Sequence, residues 1–246
     1  MSKFYYFPQV ASTNLEAQRL GKEGEASGTF VLAGRQTRGK GRGAHGWESA
    51  PGGIYLSVLL RGEIAPDRLN GFQLLIALAA VEIIGAICGI KAQIRLPNDL
   101  YYRDKKIGGI LLESQLRGER LDFLVAGLGI NLNQREADFS PALAPLATSL
   151  FLACGAEQPR GRIVAGLMKK IPAYWERFVR EGPAPFGGEI RKNCDSFGKK
   201  VVFQSERGEC RGIFRSLTPQ GTFWLERENS EPIEIRQITG LEILPP

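Results

Sequence analysis

The sequence predicts an α+β fold, a mixed sheet flanked by helices, with a small β-rich module at its C-terminal end. Three observations predict it. Short strand-like runs alternate with helical periodicity through about the first 190 residues. A long apolar stretch, Asp67 to Gly89, reads as a single, mostly buried helix. From about Phe197 four short runs follow at close spacing, the pattern of a small all-β barrel or sandwich. A chain of 246 residues can hold one large core, or a large domain with a small one. The change of pattern divides it into residues 1–192 and 193–246.

The first strand is Phe4–Phe7. "STNLEAQRLG" then reads as a helix, with Thr13 and Glu16 at capping-box spacing and Gly21 as its stop. "GTFVLAGRQ" and "GGIYLSVLL" are strands, separated by a glycine-rich stretch, and the buried helix follows them. "AQIRLP", "LYYR", "KKIGGILLESQL" and "LDFLVAGLGINLN" are strands, with hairpin turns at Arg103-Asp104-Lys105 and Arg117-Gly118-Glu119-Arg120. A helix covers Arg162–Arg180 and bends at Pro172, after which "EGPAPFGG" is a loop. "KKVVFQ", "ECRGIFRSL", "GTFWLER" and "EPIEIRQI" are the strands of the terminal module. No internal repeat or low-complexity tract is present.

Composition narrows the function classes. The formal charge of +6 favours anionic partners, but the cations are scattered. The four cysteines form no C-x-x-C pair, which argues against zinc. The start lacks a secretory pattern, so a reduced, cytoplasmic protein is expected. Leu69 to Val81 is too short to span a bilayer and is followed by Glu82, so no membrane partner is expected. A single histidine, His45, excludes most His-dependent triads. Chemistry resting on cations and backbone amides is expected instead.

The stretch "QTRGKGRGAHGW", Gln36–Trp47, is the most unusual segment. Gly41–Gly46 matches G-x-G-x-x-G, but a strand follows where a dinucleotide site needs a helix. No Gly-Lys-Ser/Thr completes a Walker loop. A solvated hairpin is the plain alternative, as an N-cap is for "STN", a proline turn for "RLPNDL" and a glycine bulge for "KIGGILLES".

The order of these segments is more specific than any one of them. "STN", "QTRGKGRGAHGW", "RLPNDLYYRDKKIGGILLE", "GLGINLN" and "ATSL", in that sequence, resemble the biotin protein ligases. The resemblance implies the fold of the biotin and lipoate ligases, distantly like that of class II synthetases, with an SH3-like barrel at the C-terminus. It implies ATP-dependent biotinylation through biotinyl-5′-AMP, with ATP and Mg²⁺, no metal ligands being identified. The partner it implies is a biotin carboxyl carrier protein of acetyl-CoA carboxylase or a related carboxylase. A monomer or homodimer is expected, and no DNA, since "STN" at residue 12 leaves no room before it for a winged helix-turn-helix.

By motif, the resemblance places Ser12, Thr13, Asn14 and Gln36 at the biotin ring system. It puts Gly39, Lys40, Gly41 and Arg42 in a lid over biotin and the adenylate phosphate. Trp47, Asn98, Asp99, Gly127 and Asn131 fall on the nucleotide side. Lys106 is the lysine on the reacting carboxyl and phosphate oxygens, and Lys106, Arg42 and Asp99 form the catalytic set. The chain departs from the family at Lys40 and His45, where arginine is common, and at Arg95-Leu96, where Lys-Trp is common. Leu96 would remove a stacking surface. Two rivals stand beside this reading. A lipoate or octanoate ligase or transferase shares the architecture, and the basic Gly/Arg loop with a β-rich tail could bind a single nucleic-acid strand.

Overall fold

The protein is described from a computed structural model covering residues 3–43, 45–206, 208–228 and 230–245. Seven strands form the larger sheet: β1 (Phe4–Phe7), β2 (Thr29–Ala33), β3 (Ile54–Leu60), β4 (Gln93–Arg95), β5 (Asp99–Tyr102), β6 (Lys105–Arg117) and β7 (Arg120–Ile130). Their order is β1-β2-β3-β7-β6-β5-β4. The β1–β2 pair is parallel and the others antiparallel, which makes the sheet mixed as expected.

Both faces of the centre are covered, so every residue of β2 and β3 is buried. Val31, Leu59, Phe123 and Val125 pack under α1 (Thr13–Lys22), against Ala17 and Leu20. Their neighbours of opposite parity, Phe30, Leu56, Val58 and Leu124, face the main core. That core is filled by α2 (Phe72–Cys88) and α4 (Arg160–Glu181), with α3 (Leu150–Cys154) and α5 (Gly187–Asn193) beside them. The side-chain period of two in a strand separates the two clusters.

Several expectations are corrected. The apolar helix does not begin at Asp67. A 3-10 turn, Pro66–Leu69, ends at Asn70, and Gly71 at φ 87° starts α2. The break is needed for packing, since a Cβ on Gly71 would lie 3.2 Å from Gly221 Cα in the C-terminal module. "EGPAPFGG" is not a plain loop, because Gly187 opens α5. The capping box at Thr13 does not form. Ser12 is the N-cap, without a side-chain cap bond, and the Thr13 hydroxyl bonds Gln36 instead. Helix α4 runs through Pro172, held by its buried face of Ile163, Leu167, Ile171, Trp175 and Phe178.

The C-terminal strands are β8 (Lys200–Ser205), β9 (Gly208–Leu217), β10 (Phe223–Arg227), β11 (Ser230–Ile235) and β12 (Thr239–Ile243). Their order is β11-β10-β9-β8-β12, an antiparallel sheet that closes into no barrel among the described residues. Strand β12 was not expected from sequence. The module is fastened to β4. Arg95 donates to Asp195 Oδ2 at 2.9 Å, Leu96 N donates to Ser196 Oγ, and Asp195 N donates to Ile94 O.

Cys194 lies in this junction, buried at 6% exposure, and burial pushes its thiol up to about 12. A raised thiol pKa keeps the unreactive protonated form through neutral pH. Cys194 is therefore expected to resist iodoacetamide at pH 8 in the folded protein and to react on unfolding. Mass spectrometry with and without denaturant checks this. Rapid labelling of the native protein would contradict it.

Candidate active site

The strands β6 and β7 pair Gly109 with Gly129 and Leu111 with Gly127. These glycines leave the middle of the sheet bare, and other groups lie directly on its main chain. A Cβ on Gly127 would meet Asn14 Oδ1 at 2.1 Å, and one on Gly129 would meet the Trp47 ring at 2.6 Å. Above this floor is a cavity of about 450 Å³, closed by the start of α1, the glycine-rich loop, β5 and residues 239–241 of β12 in the C-terminal module. Gly127→Ala is expected to destabilise the protein by about 1–3 kcal/mol through overpacking against Asn14. A urea titration measures it, and an unchanged midpoint would contradict the contact.

One wall is a polar network. Thr13 N and Oγ1 donate to Gln36 Oε1 at 2.8 and 3.1 Å, and Gln36 Nε2 donates to Ser49 Oγ at 3.0 Å. The Ser57 hydroxyl lies 2.8 Å from Thr13 Oγ1 and 2.6 Å from Asn14 Oδ1. Asn14 Nδ2 donates to Glu113 Oε2 at 2.8 Å. Ser12, Thr13, Asn14 and Ser57 are all buried. Polar side chains inside a core are costly unless paired, and here Thr13, Asn14 and Ser57 each have a partner.

The glycine-rich loop folds as a small hairpin over the cavity. Lys40 bridges Gly46, Gly41 N donates to His45 O at 2.8 Å, and Trp47 N donates to Gly39 O at 2.9 Å. Gly43 takes φ 60° near its tip. Ala44 lies outside the described residues. The hairpin carries its cations inward. Lys40 Nζ meets Glu113 Oε1 at 3.2 Å, and Arg42 Nη1 donates to Asn98 Oδ1 at 3.3 Å. Burial pushes the Arg42 guanidinium below its ordinary range, and the Asp99 charge pulls the other way. It remains a cation.

Opposite the hairpin, Lys106 Nζ pairs with Asp99 Oδ1 at 2.7 Å and lies 5.7 Å from the centre of the Trp47 ring. Its backbone is held on both sides: Lys106 N donates to Leu146 O, and Thr148 N donates to Lys106 O. Asn98 Nδ2 donates to Ile110 O at 2.7 Å, which fixes the "PND" turn on β6.

Lys106 and Trp47 also line a second cavity of about 120 Å³, with Asn131, Gln134, Phe139, Leu143 and Ala147. Asn131 is oriented by its Nδ2 donating to Thr148 O at 3.1 Å. Trp47 Nε1 is buried and has no partner among the described residues. Glu48 accepts from Ser140 Oγ at 2.7 Å, which joins the loop after the hairpin to the 135–147 segment.

Every residue expected at the site lines the larger cavity except Gly39 and Asn131. Gly39 supports the hairpin, where a Cβ would collide with Trp47 O at 2.4 Å, and Asn131 lies in the smaller cavity. Leu96 also lines the larger cavity. Its side chain is in the core at 2% exposure, and the aromatic on that wall is Tyr101, with Arg95 3.9 Å over its ring. Sequence reasoning missed Ser49, Ser57, Glu113, Tyr101 and residues 239–241 of β12. Ser57, a lone hydroxyl in the apolar run "IYLSVLL", was a usable signal. Residues 239–241 had none.

Two cavities that meet at one lysine suit two small molecules placed end to end, and the cations at the junction suit negative charge where they touch. That is the layout of an enzyme that joins two anionic substrates. The description of the Biotin/lipoate A/B protein ligase family matches residues 6–131, and the chain belongs to that family. The bifunctional ligase/repressor BirA of Bacillus spizizenii is 34% identical over 224 residues, covering 91% of this chain and 69% of the relative. The biotin--[acetyl-CoA-carboxylase] ligase of Paracoccus denitrificans is 29% identical, covering 87% of this chain and 90% of its own length. A biotin protein ligase from Aquifex aeolicus, solved in complex with biotin and ATP, superposes with a TM-score of 0.83. It is 28% identical and covers 99% of this chain and 100% of its own. The protein is thus a ligase of the biotin class.

Proposed function

We propose that the chain attaches biotin to a specific lysine of a biotin carboxyl carrier protein, at the expense of ATP. The observation that carries this is Lys106 at the junction of the two cavities, paired at 2.7 Å with Asp99. Biotin lies in the larger cavity with its ring system at Ser12–Asn14 and its carboxylate toward Lys106. Adenine occupies the smaller cavity, beside Trp47 and Asn131. The biotin carboxylate oxygen attacks the α-phosphorus of ATP, the bond to the β-phosphate breaks, and pyrophosphate leaves. A carboxylate is ionised at neutral pH, so this step needs no base. It needs cations at a crowded anionic centre, which Lys106 and Arg42 supply. The carrier amine then attacks the carbonyl carbon, AMP leaves, and Asp99 receives or orients the amine's proton.

Mg²⁺ belongs to this reading as a companion of the ATP phosphates. Among the described residues no group of three or more metal-ligating side chains exists, and Asp99 is the one carboxylate lining the larger cavity. A nucleotide-borne Mg²⁺ commonly takes one or two carboxylates, so Asp99 suits that role alone. Residues 1–192 carry the chemistry, and residues 193–246 close the cavity through the start of β12, residues 239–241. DNA and membrane stand outside the reading, and the chain works as a monomer or homodimer in the cytoplasm. The four free cysteines agree with that compartment.

The test is intact mass spectrometry of an apo carrier domain after incubation with this protein, ATP, Mg²⁺ and either biotin or lipoate. Gain of one biotinyl group supports the reading. Gain of a lipoyl group alone would move the protein to the other branch of its family.

A further inference from the structure

Glu113 has no part in the reaction as set out above, yet its carboxylate touches both halves of the biotin side. It stands on β6 beyond the last residue paired with β5, opposite Val125 of β7. Oε2 accepts from Asn14 Nδ2 at 2.8 Å, and Oε1 meets Lys40 Nζ at 3.2 Å. Among the described residues, this is the only ion pair that residues 38–46 of the hairpin make.

A carboxylate only accepts, whereas an asparagine amide has a donor end and an acceptor end. With Nδ2 committed to Glu113, Asn14 Oδ1 must face Ser57 Oγ, at 2.6 Å. The flipped amide would set two acceptors against each other. Asn14 is 4% exposed, so no water relieves a wrong orientation. The bond to Lys40 is weaker by comparison, because that lysine side chain is 41% exposed and such pairs contribute little. The larger effect therefore runs through Asn14.

We propose that Glu113 is a positioning residue for biotin: it fixes the polarity of the Asn14 amide and seats the hairpin through Lys40. The proposal rests on the reading that the larger cavity takes biotin. Glu113→Gln is the discriminating variant. It keeps shape but offers one acceptor and one donor, so it can satisfy Asn14 or Lys40 but not both.

Glu113→Gln is expected to weaken equilibrium binding of radiolabelled biotin by about tenfold to a hundredfold, the loss of a charge-assisted bond. The KM for ATP should stay within about twofold and the melting temperature unchanged, whereas a merely structural role would shift all three together. In an Asn14→Ala background the same change should add less than about twofold, since the partner is already gone. Lys40→Met should weaken biotin binding by a smaller factor than Glu113→Gln, and it tests the hairpin half even where Glu113→Gln folds poorly. Unaltered biotin binding in Glu113→Gln, or a full additional loss in the Asn14→Ala background, overturns the proposal while wild-type protein still binds biotin. Wild-type protein that binds no biotin overturns the reading of the cavity instead.

Discussion

Lys106→Ala is expected to reduce adenylate formation by about a hundredfold or more, on the order of 3 kcal/mol of transition-state stabilisation. Lys106 stands where the two cavities meet, and its backbone is pinned by Leu146 and Thr148. The cation is therefore preorganised, and its position does not have to be found during the reaction. In the resting protein its ion pair with Asp99 is a third exposed on the lysine side, so its loss should change stability by less than about 1 kcal/mol. The two effects separate cleanly. Biotin-dependent pyrophosphate exchange should collapse while the melting temperature stays within a few degrees. Exchange at the wild-type rate would remove Lys106 from the chemistry.

Arg42→Gly is expected to act on retention of the intermediate more than on its formation. Arg42 is drawn over the cavity by Asn98 and faces the charge of Asp99. A phosphate oxygen would give it a stronger, charge-assisted partner than the 3.3 Å amide contact it has. Ordering a backbone residue costs roughly 1–2 kcal/mol, and glycines at 39, 41, 43 and 46 make the hairpin expensive to hold closed. Without Arg42 that cost has less to offset it. The variant should release biotinyl-5′-AMP faster and label surface lysines indiscriminately. Quenching preformed complex into excess unlabelled biotin gives the off-rate. A wild-type off-rate, with label still confined to the carrier lysine, would refute the closing role.

The strands and their pairing were legible because burial imposes a period. In β2 and β3 both faces are covered and the runs are continuously apolar. In β6 the alternation fades to exposed residues where the strand extends beyond β5. The site segments were legible through glycines and amides that no core requires, such as "GLGIN" and "PND". What escaped was set by distant contacts. The start of α2 depends on Gly221, some 150 residues on, and the Thr13 hydroxyl leaves its cap for Gln36. Tyr101 lines the cavity beside Leu96, which is buried, and Arg95 lies over its ring. None of these is decided by neighbours in the chain.

The bare stretch of β6 and β7 limits what this enzyme could become. Most binding pockets are resized by trimming the side chains beneath the ligand. Here the glycines of the floor have no side chain to trim, and the groups laid on them, Asn14 and Trp47, are themselves site residues. A side chain added at Gly127 or Gly129 would displace Asn14 or Trp47 and distort the site. Room for a bulkier acid comes from the rim: the hairpin, the Tyr101 wall or the start of β12 at residues 239–241. A library confined to those segments can reach larger substrates, whereas one aimed at the glycines displaces Asn14 and Trp47.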